Sequence, residues 1–111
     1  MEKIHFLYQG SAKEPYEITF SKERNNFISN CTCPAAQFGS YCKHRINILA
    51  GITNGIVSNN SNQVEIVRSW ISGTDIENAI IEVFNAEQKL EEAKKEVTAS
   101  KKRLGKALIG Q

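Results

Sequence analysis

The sequence predicts an α+β fold: a small antiparallel β-sheet with a short helix, followed by a second short helix and a long C-terminal helix of coiled-coil type. Three observations predict it. Tyr16, Ile18 and Phe20 alternate with Glu17, Thr19 and Ser21, the period of a half-buried strand. Beyond Asp75 no proline occurs, and no glycine until Gly105, while Ile76, Val83, Leu90, Val97 and Leu104 recur every seven residues. Between these regions all three cysteines of the chain gather, as Cys31-x-Cys33 and Cys42-x-His44.

The elements follow in order. Residues 3–9 form a first strand, residues 10–15 are rich in turn formers, and residues 16–21 form the second strand. A polar loop over 22–26 leads to a third strand at 27–30, which runs straight into Cys31. Side chains alternate along extended chain, so Cys31 and Cys33 point one way and Thr32 the other. Pro34, Gly39 and Ser40 favour turns, letting the spacer 34–41 double back. Ile48, Leu49 and Ile52 then fall at helical spacing from Tyr41 and Arg45, so the second ligand pair opens a helix. Residues 58–62 have the composition of a solvated connection. Asn62, with Glu65 three residues on, caps a short helix whose apolar face is Val64, Val67 and Ile71. Trp70 beside that face reads as core filler rather than as a platform for a base. Thr74 and Glu77 form a second capping box, opening a helix over 75–109 that would be ~50 Å long at ~1.5 Å per residue. The expected organisation is a metal-binding domain over residues 1–57, a linker and short helix over 58–73, and the long helix over 74–111.

Four soft or borderline donors in so short a stretch suit a tetrahedral Zn2+ site built from Cys31, Cys33, Cys42 and His44. An odd number of thiols leaves one unpaired under any disulfide scheme, and a Cys-x-Cys bridge would close a strained ring. A nucleophilic Cys31 or Cys42 activated by His44 competes weakly, because the other thiols would be redundant. With all four positions filled by protein, no open site remains to activate water, which argues for scaffold over catalysis. His5, in the first strand, reads as ordinary sheet. No phosphate-cradling glycine loop and no paired carboxylates in a nonhelical setting occur, so an enzyme is not expected.

These residues resemble the SWIM-type zinc finger, whose pattern is Cys-x-Cys, a variable spacer, then Cys-x-His. The resemblance rests on Cys31, Cys33, Cys42 and His44, with Cys-Lys-His at 42–44 and an apolar helix following, and covers about residues 16–53. It implies the metal and the local fold. The family is associated with both nucleic-acid binding and protein contacts, so membership does not choose between partners.

The 111 residues amount to one domain with a modest core, 41% of them hydrophobic. No apolar run reaches the ~20 residues of a membrane span, and the first residues do not begin a signal peptide, so the cytoplasm is expected. The formal charge of +2 falls to +1 with three thiolates and one dication, too little for strong nonspecific attraction to nucleic acid. In the long helix, Ala79, Ala86, Ala93, Ser100 and Ala107 also recur every seven residues, making one seam of large and small side chains. Alanines alone also suit a solitary helix. Charge is segregated: residues 75–92 hold six acids and one base, and 94–106 hold six bases and one acid. Antiparallel copies would set acidic halves against basic halves, so an antiparallel homodimer or a docked protein partner is expected. The function expected is a zinc-stabilised protein-interaction module. The alternative is a nucleic-acid-binding module in which Lys22, Arg24, Lys43 and Arg45 meet phosphates, helped by Lys101, Lys102, Arg103 and Lys106.

Overall fold

In a computed structural model, residues 1–110 are described. The chain separates into two compact units, Met1–Glu77 and Asn78–Gln111.

In the first unit, three strands β1 (Glu2–Tyr8), β2 (Tyr16–Glu23) and β3 (Asn26–Cys31) form an antiparallel sheet in sequence order. Alternation decides which face is buried. Ile4, Phe6 and Tyr8 of β1 and Ile18 and Phe20 of β2 point into the core, and the register pairs Ile4 with Phe20, Phe6 with Ile18 and Tyr8 with Tyr16. Phe6 meets Phe20 edge-on at 6.0 Å, and Phe20 stacks on Phe27 of β3 at the same separation. The β2–β3 hairpin turns tightly through Arg24, whose φ of 58° is a left-handed conformation. At the other end Ile18 pairs with Cys31, and Thr32 extends the ladder, its N–H donating to Glu17 O and its Oγ1 accepting from Glu17 N–H.

The spacer does more than turn. Residues Pro34–Gln37 wind into a one-turn helix, α1, with Cys33 as N-cap and Pro34 in its first turn, where a missing N–H costs nothing. Helix α2 (Lys43–Leu49) then presents Ile48 and Leu49 to the core. It stops earlier than the apolar spacing predicts: Gly51, at φ +88°, breaks the helix, and Ile52 is left exposed.

Residues 58–62, expected as a solvated connection, are pinned to the outer edge of β1. Tyr8 bridges to Ile56, Val57 N–H donates to Leu7 O, Ser58 Oγ accepts from Leu7 N–H, and Asn60 Nδ2 donates to His5 O. Backbone groups on an edge strand need partners, and this polar segment supplies them. The predicted cap at Asn62 is also corrected. A 3-10 turn over Ser61–Gln63, organised by Asn60, precedes α3 (Val64–Ile71), and no side chain caps α3. Val64, Val67, Trp70 and Ile71 are buried, which places Trp70 in the core at 8% exposure. Arg68 of α3 donates from Nε to Leu49 O, closing the last turn of α2.

The long helix α4 spans Asp75–Leu108. Its start differs from the predicted box: Glu77 Oε1 accepts from Gly73 N–H, while the Thr74 hydroxyl turns back to donate to Ile71 O. In the second unit Ile80 is the buried side chain of this helix, Val83 and Phe84 are half-buried, and the seam beyond them is solvent-exposed. No helix among the described residues is long and apolar enough to cross a membrane.

Candidate metal centre

Strand β3 delivers Cys31, the next extended residues deliver Cys33, and the start of α2 delivers Cys42 and His44. Their ligand atoms all lie within 4.8 Å of one another. Cys33 Sγ is 3.4 Å from Cys42 Sγ, and Cys42 Sγ is 3.7 Å from His44 Nδ1. A tetrahedron with Zn–S of ~2.3 Å and Zn–N of ~2.0 Å has edges of about 3.5–3.8 Å, which the Cys33–Cys42 and Cys42–His44 separations match. The Nδ1 edge of His44 faces Cys42, while Nε2 points toward Gly10.

Burial decides what these thiols require. All three cysteines are buried and free. Burial pushes the Cys31 thiol up to about 12. Burial also acts to raise Cys42, but the Arg45 N–H and the neighbouring thiols outweigh it and leave Cys42 below its ordinary value. Burial, with the nearby Lys43 charge, lowers His44 and so favours the neutral imidazole, the form that ligates. A buried thiolate such as that of Cys31 is unfavourable without a cation, and a dication at the cluster offsets that penalty. Donor set, spacing and burial therefore fit Zn2+, with Cys31, Cys33, Cys42 and His44 as the residues that would hold it.

The surroundings of the imidazole come from residues that sequence reasoning did not assign. Tyr8 and Tyr16 flank the His44 ring at centroid separations of 5.1 and 4.9 Å, and Asn47 Nδ2 donates to Tyr8 Oη. Alternation along β1 and β2 places both tyrosines on the core face, which is the signal that could have found them. The clamp is tight against Gly10: a Cβ there would lie 2.4 Å from Tyr16 Cε2 and 3.1 Å from His44 Nε2. Gly10→Ala is therefore expected to displace Tyr16 and loosen His44, weakening metal affinity ~10-fold or more, as losses of orienting neighbours do. A competition titration against a chromophoric chelator measures it, and unchanged affinity would refute the clamp.

The candidate phosphate-binding residues do not form one cluster. Lys43 opens α2 and is exposed. Arg45 is committed inward, its Nη1 donating to Ser29 O at 2.9 Å and tying α2 to β3. Lys22 pairs with Phe27, four residues along β3 from Cys31, or ~13 Å at ~3.3 Å per residue, and Arg24 lies beyond it in the hairpin turn. Arg103 pairs with Glu96 on its own helix. His5 stays on the exposed side of β1, 3.7 Å from Glu17 and outside the donor cluster.

An extended Cys-x-Cys at the end of β3 meeting a Cys-x-His at the start of α2 is the arrangement of a zinc-finger module, in which a metal would join a small sheet to a helix. The SWIM zinc finger family model matches residues 16–48, the stretch that carries all four donors. Comparison with curated proteins gave no match, and neither did comparison with solved structures.

Proposed function

We propose that this chain is a zinc-stabilised protein-interaction module, in which the metal holds the first unit in shape and α4 offers a docking surface. The metal's role is structural, because four protein donors leave no coordination position for a substrate or an activated water. One observation carries the docking role. Leu90, Val97 and Leu104, spaced seven residues apart on α4, are 55%, 52% and 60% exposed. Apolar side chains aligned on one face of a helix that is otherwise highly charged are a recognition surface for another helix.

The competing reading is nucleic-acid binding through Lys22, Arg24, Lys43 and Arg45. Support for it is reduced by the Arg45 bond to Ser29 O and by the distance of the hairpin residues along the strand from the metal ligands. Titration of the metal-loaded protein with single- and double-stranded DNA and RNA across a salt series separates the two. The interaction module predicts weak binding with a shallow salt dependence. Micromolar or tighter binding that falls steeply with salt, as several released counterions require, would overturn it.

A further inference from the structure

The docking surface on α4 carries enough pattern to name its occupant. We propose that it is a second copy of this chain, laid antiparallel in a single register centred between Glu91 and Glu92; the inference rests on the docking reading above. Helix α4 is continuous through the seam, and the seam's large residues from Leu90 onward are exposed.

Side-chain size selects the antiparallel orientation. In the proposed alignment Leu90 faces Ala93 of the second copy, Val97 faces Ala86, and Leu104 faces Ala79. The same alignment sets Val83 against Ser100 and Ile76 against Ala107. Every large residue of the seam meets a small one, which fills space evenly and lets the helices approach closely. Parallel copies in register would instead stack large on large and small on small.

Charge selects the register among the antiparallel alignments that size allows. In antiparallel pairs the residues flanking the seam face their counterparts on the same edge. The alignment brings Glu87 opposite Lys94, Lys89 opposite Glu96, and Glu82 opposite Arg103 of the second copy, and two-fold symmetry repeats each pair. Glu96 and Arg103 already pair within one helix at 2.9 Å, so the last two cross-helix pairs join into one network. Sliding by one heptad in either direction weakens this complementarity: one shift sets Lys94 on Lys94, Glu96 on Glu96 and Lys89 on Arg103, outweighing the Glu87–Lys101 pair it keeps, and the other sets Glu87 on Glu87, Lys89 on Lys89 and Glu82 on Glu96. A parallel pair sets Glu82 against Glu87 and Lys89 against Lys94. Like charges facing across the seam disfavour each of these alternatives.

Sedimentation equilibrium of the metal-loaded full chain tests the proposal, with Glu87→Lys, Lys94→Glu and the double variant. The wild-type chain is expected to be a dimer. Each single reversal converts two attractions into two repulsions and weakens dimerisation ~tenfold, and the double variant restores it. In a parallel dimer either single reversal relieves a repulsion and tightens association, and that result would overturn the register. A monomer at high micromolar concentration with α4 still helical would overturn the second copy as occupant. Neither outcome touches the docking reading, which the nucleic-acid titration judges separately.

Discussion

Chelation of the metal, or Cys33→Ser, is expected to unfold the sheet and α2 together. The first unit has a small core, and structural zinc in small fingers carries apparent binding energies of ~10–16 kcal/mol, comparable to the ~5–15 kcal/mol that stabilises a whole domain. Cys33 is 2% exposed, accepts from Ala36 N–H and lies against Cys42 Sγ, so it links strand, α1 and α2 at one atom. Without the cation the thiols lose the charge that draws the two cysteine-bearing segments together, and the Arg45 bond to Ser29 O is left to tie β3 to α2. His44→Ala should act in the same direction. A heteronuclear NMR spectrum is expected to lose the dispersed β resonances of the first unit, while α4 keeps its helical signals when assembled with another helix. A chelated protein with an unchanged spectrum would remove the metal from the account of folding.

The second large effect is expected at Phe20→Ala. Phe20 is fully buried, contacts Phe6 and Phe27, and sits in the central strand between Ile4 and Ser29. Truncating a buried aromatic removes its transfer free energy and leaves a cavity, together costing about 3–5 kcal/mol. In a unit this small that is a large fraction of the total stability. Denaturant unfolding of the metal-loaded protein should show a midpoint shift of that size with an unchanged slope. A loss below ~1 kcal/mol would mean that the sheet's stability resides almost wholly in the metal.

Much of the fold was legible because the signals are local. Alternation at Tyr16, Ile18 and Phe20 marked β2 and its buried face. The seven-residue recurrence from Ile76 to Leu104 marked α4 to within a residue of its end at Leu108. Where the expectation missed, a competing local feature or a distant partner won. Gly51 stopped α2 before Ile52, because a positive φ is cheap for glycine and ends a helix regardless of the apolar spacing. Pro34 after a capping side chain made α1 from a stretch read as turns alone. The polar run at 58–62 resembled a free connection because its partners, Leu7 and His5, lie about fifty residues away.

The amino-acid sequence by itself determined the four candidate metal donors, the strand that leads into the first pair, the helix that carries the second, and the seven-residue recurrence of α4. Donor spacing and side-chain periodicity are properties of short stretches of chain, and they survive any uncertainty about what those stretches pack against. Only the tertiary structure decided that His44 turns Nδ1 toward Cys42, that Tyr8 and Tyr16 clamp its ring over Gly10, and that Arg45 is spent on Ser29. Each of these depends on residues far apart in the chain arriving at one place, and which groups meet is set by sheet register and helix packing rather than by spacing along the backbone.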